Sequence, residues 1–309
     1  MLRLILGRAS TGKTTFIRKS ITEKLEKGED ILLIVPEQFS FESEKAMIHL
    51  LGAKKLSEMK IMSFSSLAKN IVEQYSPDRK PPVTNAAKAV IMSMALEAVS
   101  DRLDIFSKCL KNKNTVTDLL SMTDELIQCS VTGEVLADAA AQSGNSILVK
   151  KSEEISLIAQ MYETLLTERF SDDRYIINAA AAIAAEKNLF QGKTIFFDEF
   201  TGFTAQENEL ISLMLTQAQD VYVTCCAESI RDTSGGTGAF SYAVENAGKL
   251  VNLANRLGVS VAEPVVLKYE YKYRNEALSF IEKGIYEPDA EVYQETTSDV
   301  VIAAAKKKM

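Results

Sequence analysis

Leu2–Leu6 is a short apolar run closed by Gly7, and from Lys13 onward Phe16, Ile17, Ile21 and Leu25 recur at helical spacing until Gly28. This predicts strand, loop, helix. The continuous apolar run ILLIVP, Ile31–Pro36, reads as a strand buried on both faces, and a helical stretch from Phe41 to Leu51 follows it. KIMSF and then SSLAKNIVEQY repeat the order a third time. Strands alternating with helices require right-handed crossovers, so the pattern predicts a parallel α/β sheet.

The period changes after the break SPDRKPP, Ser76–Pro82. Up to about Leu189 only helical spacing is found, over Ala86–Val99, Val116–Cys129, Glu134–Gln142, Ile147–Phe170 and Tyr175–Lys187. The α/β rhythm then resumes with KTIFFDEF (Lys193–Phe200), a helix through AQENELISLMLTQA and a strand DVYVTCC (Asp220–Cys226). A loop DTSGGTG (Asp232–Gly238), a long helix ended by Gly258, the strand VVLKYEY, a helix over Glu276–Lys283 and a last strand at Asp299–Ala305 complete the reading. No helix follows that last strand, so the chain is expected to be cut from something longer. The expected fold is α/β: residues 1–78 and 190–309 form a sheet domain flanked by helices, and 79–189 an all-α inserted subdomain.

Gly7-Arg8-Ala9-Ser10-Thr11-Gly12-Lys13-Thr14-Thr15 has two glycines bracketing four residues, then Lys-Thr, between a predicted strand and a predicted helix. Glycines at both ends let the loop curl so that backbone N–H groups point inward at phosphate oxygens, aided by the positive end of the following helix. Residues 7–15 are therefore the expected nucleotide-binding stretch, with Lys13 reaching the β and γ phosphates and Thr14 binding Mg²⁺. A second anchor, an acid at the end of a neighbouring apolar strand, is supplied by Asp198 and Glu199. Asp198 is expected to contact the Mg²⁺ through water and Glu199 to activate the attacking water. Taken without the loop, the two acids would read as caps of the helix starting near Thr204.

The four cysteines, Cys109, Cys129, Cys225 and Cys226, form no CxxC pair and share the chain with one histidine, so they read as reduced core thiols. The apolar start is too short for a secretory segment and no run reaches membrane-spanning length, which points to a cytoplasmic protein without a membrane partner. A net charge of −7 is unhelpful for phosphate backbones, although a local patch decides binding. The basic pairs Arg18-Lys19, Lys54-Lys55 and Lys150-Lys151 could line such a groove or simply be solvated helix faces.

The order of motifs resembles superfamily 1 helicases with their RecA-like P-loop domain and helical insertion: phosphate loop, SFSSLA (Ser63–Ala68), insertion, then FFDEF. GRASTGKT, LLIVPEQFSFESE and IMSFSSLA together resemble the N-terminal part of AddB/RexB, the B subunit of the bacterial ATP-dependent helicase-nuclease, over essentially the whole chain. The resemblance implies ATP and Mg²⁺ as cofactors, a heterodimer with an AddA-like motor and nuclease subunit, and single- and double-stranded DNA as substrates in double-strand break repair. It also implies single-stranded DNA contacts at Ser63, Phe64 and Ser66 and along Pro36–Phe41, where an aromatic ring stacked on a base is worth ~1–3 kcal/mol. The family's iron–sulfur cysteines belong to a C-terminal nuclease domain, so no cluster is expected here.

Three departures from an active helicase reduce the expected turnover. The adenine-reading glutamine would lie upstream of the loop, where this chain begins six residues before Gly7. The γ-phosphate-sensing Gln-Ser-Ile is matched by Glu228-Ser229-Ile230, and the second RecA-like lobe is absent or barely begun. Weak or no hydrolysis in isolation is expected. Two other readings fit the residues: a stand-alone P-loop ATPase or kinase with a helical lid, and a scaffold with a vestigial loop that holds the motor subunit.

Overall fold

A computed structural model describes residues 1–76, 80–109, 113–129, 131–172, 175–231, 240–269, 275–285 and 291–301, the side chains of 108, 109, 113 and 128 excepted. Among the described residues six strands, β1 (Leu2–Leu6), β2 (Ile31–Ile34), β3 (Met59–Met62), β4 (Thr194–Phe197), β5 (Asp220–Cys225) and β6 (Val265–Val266), form one parallel sheet in the order β3-β2-β4-β5-β1-β6. Eleven helices accompany it among the described residues: α1 (Lys13–Glu26), α2 (Ser40–Leu56), α3 (Phe64–Tyr75), α4 (Asn85–Ala98), α5 (Lys113–Gln128), α6 (Gly133–Gln142), α7 (Ser146–Arg169), α8 (Ile176–Lys187), α9 (Ala205–Gln217), α10 (Ser241–Arg256) and α11 (Glu276–Gly284). The fold is α/β with a parallel sheet, as the strand–helix alternation predicts, and is RecA-like, as the resemblance implies. No described helix is long and apolar enough to cross a membrane.

The chain divides into two compact units. The sheet unit comprises Met1–Met62, Gln191–Gly202 and Met214–Met309. Its central strands are apolar on both faces because helices need burying against each, and β2 and β4 are buried at every position. Ile17, Ile21 and Leu25 of α1 and Met47 of α2 pack with Ile5, Ile31, Leu33 and Phe196 of the sheet. Val244, Ala247, Leu250 and Ala254 form the buried stripe of α10, which lies against β1 and β5.

The helical unit comprises Ser63–Phe190 and Phe203–Leu213, so α3 belongs with the helices and not with the sheet. Its core gathers Ile91, Met92, Ala95 and Leu96 of α4 with Ile155, Ile158, Tyr162 and Leu166 of α7. Side-chain caps set its helix starts: Ser63 accepts from the Ser66 N–H, Thr84 from Ala87, Thr132 from Val135, and Asn145 from Ile147 and Leu148.

Several boundaries differ from the sequence reading. Phe64, placed at a strand end by its apolar neighbours, is instead the first residue of α3, because Ser63 caps there. The α2 helix runs on to Leu56 with a non-helical break at Gly52 (φ 75°, ψ 158°), a backbone that glycine adopts without strain. The strand expected at Asp299–Ala305 is not formed over 299–301, and its remainder lies outside the described residues, as do the loop Asp232–Gly238 and part of VVLKYEY. The cysteines are not uniformly core thiols: Cys225 is buried and Cys226 half-buried, but Cys129 is exposed, since it follows α5 rather than facing its apolar stripe. The side chain of Cys109 is outside the described set.

Candidate functional site

Residues 7–15 leave the end of β1 and turn into α1, so the loop predicted from spacing is a strand-to-helix loop. Its glycines are required by geometry. A Cβ on Gly7 would lie 2.1 Å from Thr11 Oγ1 and 3.0 Å from the Leu267 carbonyl oxygen, and Gly12 has φ 87°. Ser10 also takes a left-handed φ of 63°, a conformation that costs a non-glycine residue of order 1–3 kcal/mol. Gly12 is the N-cap of α1 and offers no side chain to the first-turn N–H groups, which leaves them to an external acceptor.

Lys13 lies back along the loop, its Nζ donating to the carbonyls of Gly7 (2.8 Å) and Arg8 (2.7 Å). Thr11 Oγ1 donates to the same Arg8 carbonyl at 3.0 Å. Thr14 Oγ1 donates to Glu199 Oε1 at 3.0 Å, joining the start of α1 to the residues after β4. Glu199 has φ 65°, held in a sparsely populated region by its surroundings. Thr14 and Glu199 are 185 positions apart in sequence, and their contact assembles Lys13, Thr14, Asp198 and Glu199 at one end of the sheet.

Asp198 is 5% exposed and accepts a 2.8 Å hydrogen bond from Thr224 Oγ1 of β5. Burial pushes its carboxyl above the usual carboxylate range, the Thr224 hydrogen bond opposes that shift, and the neighbouring Glu199 charge adds to it. A buried carboxyl in this state gains most from a nearby cation, so the donor set of a threonine hydroxyl and two carboxylates fits a hard oxygen-preferring ion such as Mg²⁺. Cys225, next along β5, is pushed up to about 12 by burial and is an unreactive thiol.

The acidic strand is not beside the loop strand as the sequence reading held. β5 lies between β1 and β4, pairing Ile5 with Thr224 on one side and Phe197 with Val223 on the other. Thr224 fills the gap chemically, and sequence reasoning missed it. Its one signal was a hydroxyl inside the apolar run DVYVTCC. Also missed were Asn246, whose Nδ2 donates to the Thr201 carbonyl at 3.2 Å, and Gly202, where a Cβ would lie 2.8 Å from Tyr242 Oη and from Asn246 Nδ2. These contacts tie the segment after Glu199 to α10.

In the helical unit, Ser63 is 2% exposed and its hydroxyl donates to Ser66 Oγ at 3.1 Å. Phe64 is 3% exposed with its ring edge-on to Phe203, centroids 6.1 Å apart. In this conformation these side chains are engaged inside the helical unit. In the sheet unit, Phe41 at the start of α2 is 75% exposed.

Comparison with known proteins adds to this geometry. The family described as "ADDB, N-terminal" matches residues 4–282. Proteins named as the B subunit of an ATP-dependent helicase/deoxyribonuclease are similar along almost the whole chain. Those of Clostridium acetobutylicum and Caldanaerobacter subterraneus subsp. tengcongensis are each 28% identical, over 97% and 98% of this chain. That of Acetivibrio thermocellus is 29% identical over 97%. The matches cover 26%, 27% and 27% of those relatives, so the chain spans about a quarter of their length. On the match of 4–282, and with a strand–loop–helix and acidic pair arranged as described, the chain belongs to the AddB N-terminal family.

Proposed function

We propose that this chain is the nucleotide-binding portion of a helicase-nuclease B subunit, that it holds Mg²⁺-ATP in the loop 7–15, and that it turns the nucleotide over weakly or not at all alone. The observation that carries the reading is the convergence of Lys13, Thr14, Asp198 and Glu199 at a loop where a side chain would crowd Thr11 at Gly7 and be strained at Gly12. In it, loop N–H groups and Lys13 neutralise the phosphates, while Thr14 and Asp198 hold the Mg²⁺. A second RecA-like lobe would supply the arginine that makes the transferred phosphoryl's charge bearable, worth ~10³ or more in rate.

By its family the chain would act beside an AddA-like motor subunit on broken DNA ends in the cytoplasm. Single-stranded DNA is the second proposed ligand, with Ser63, Phe64 and Ser66 as expected contacts. Phe41 is the better candidate for stacking on a base, because its ring is exposed whereas that of Phe64 is covered.

Titrating labelled Mg²⁺-ATP and Mg²⁺-ADP against the wild-type chain and Lys13→Ala tests the reading, followed by phosphate release with and without single-stranded DNA. Binding that falls at least tenfold in Lys13→Ala, with little release, is expected, since one charge-assisted contact is worth about 1.5–3 kcal/mol. Vigorous DNA-independent hydrolysis would point to a stand-alone ATPase. Absence of binding by the wild type would point to a vestigial loop.

A further inference from the structure

Arg8 is the first residue after Gly7, and a phosphate loop makes no chemical demand on its side chain. Here that side chain leaves the loop and is 13% exposed. Its Nε lies 3.1 and 3.0 Å from the two carboxylate oxygens of Glu282 on α11, and its Nη2 donates to the Glu282 main-chain carbonyl at 2.9 Å. The guanidinium carbon lies 4.7 Å from the ring centroid of Phe240, the residue before α10. Nη1 is 3.8 Å from Glu228 Oε2, the residue at the Gln-Ser-Ile position. Three elements distant in sequence thus hold one guanidinium, and Glu282, itself 15% exposed, supplies every hydrogen bond among these contacts.

The held residue matters to the loop through its own peptide. The Arg8 carbonyl is the acceptor for both Lys13 Nζ and Thr11 Oγ1, so the direction of that peptide fixes where the lysine sits and how the loop closes. We propose that Glu282 is a positioning residue of the nucleotide site: through Arg8 it sets the shape of the phosphate loop, so that nucleotide binding and the ordering of α11 are coupled. The inference rests on the nucleotide reading above. The contact uses a guanidinium's fixed plane, which offers Nε to the carboxylate and Nη2 to the carbonyl while its carbon lies over the Phe240 ring, an arrangement that a lysine ammonium does not reproduce. Coupling between two sites is reciprocal, so α11 must respond to nucleotide as strongly as nucleotide responds to α11.

The test measures Mg²⁺-ATP affinity and amide hydrogen exchange across residues 276–285 in the wild-type chain, Glu282→Gln and Arg8→Lys. Expected is about tenfold weaker nucleotide binding in both variants, within the usual range of coupling between sites. Exchange in 276–285 should slow on adding Mg²⁺-ATP in the wild type and be indifferent to it in either variant. A contact that only stabilises the fold would give α11 the same protection with and without nucleotide. That result in a wild type that binds nucleotide, or wild-type affinity in Glu282→Gln, overturns the inference alone. A wild type that binds no nucleotide removes the proposed function and this inference with it. Should Glu282→Gln unfold, Arg8→Lys, which keeps the charge, carries the same two readouts.

Discussion

Thr224 donates to Asp198 from the strand that separates the loop 7–15 from the acidic pair. Removing that hydroxyl would strip a buried carboxyl of a donor and raise its proton affinity further, because burial already pushes it above the ordinary range. Thr224→Val should therefore lower the apparent Mg²⁺ affinity of the nucleotide complex about tenfold, one hydrogen bond to a charged group, with Thr224→Ser restoring it. Nucleotide affinity measured without Mg²⁺ should stay put, and a variant that lost both would refute the assignment. The sign of the pH dependence follows from the same shift. In the proposed site Asp198 must be ionised to hold the cation, and burial holds its carboxyl above the usual carboxylate value of about 4. Mg²⁺-dependent binding should then weaken as pH falls through that raised range, earlier than an ordinary aspartate would allow. At this scale the sequence offers candidates that chemistry names by type. Lys13, Thr14 and Asp198 could be singled out from spacing, whereas Thr224 and Glu282 have partners, Asp198 and Arg8, that only the fold brings near.

Helix α7 carries a carboxylate with a structural task. Glu154, 4% exposed, accepts from the backbone N–H groups of Asp104 (2.9 Å), Ile105 (2.9 and 3.1 Å) and Phe106 (3.0 Å), ending the chain's approach to the short 3₁₀ turn Phe106–Cys109. Burial would raise its carboxyl, but the three N–H donors outweigh burial and hold it below the usual carboxylate range. A lowered folded value means that the stabilisation is complete above the unfolded value, near 4.3, and is lost as pH falls below that toward the lowered one. Urea unfolding of the helical unit followed by its own spectroscopic probe should show a stability loss in that window. Glu154→Gln should flatten it and cost about 2 kcal/mol at neutral pH. An unchanged acid profile in Glu154→Gln would rule the explanation out. Periodicity could not announce this contact, because a glutamate in a helix usually faces water. Elements themselves were readable wherever a cap or glycine punctuated them, as at Gly28 after α1. They were misplaced where an apolar residue such as Phe64 served a helix start and resembled a strand end.

The whole chain carries a net charge of −7, which opposes approach to a phosphate backbone. If single-stranded DNA is nonetheless bound through a local basic surface, affinity should fall steeply with salt, by a logarithmic slope of about 0.7 per phosphate contacted. Fluorescence anisotropy of a labelled oligonucleotide between low and physiological salt measures it, and a flat response would exclude backbone contacts. Parallel α/β architecture was legible from alternation alone. Strand order was not, because nothing local in an apolar run says which strand is inserted between two others, and the misplacement of β4 beside β1 follows from that.

The position of β1 in the sheet carries a further consequence for how the molecule is made. Its neighbours are β5 and β6, with Leu2 opposite Val221 and Ile5 opposite Val265, while β2 and β3 pair with each other early in the chain. On the ribosome β1 therefore waits, without its sheet partners, until β5 at Asp220–Cys225 has emerged, after residues Ser63–Phe190 and Phe203–Leu213 of the helical unit have been made. Contacts of such high sequence separation close slowly, and an apolar strand left waiting is exposed to misassociation in the meantime. Residues 7–15, which begin where β1 ends, are then made long before β5 and must wait for it before the strand that carries them is seated in the sheet.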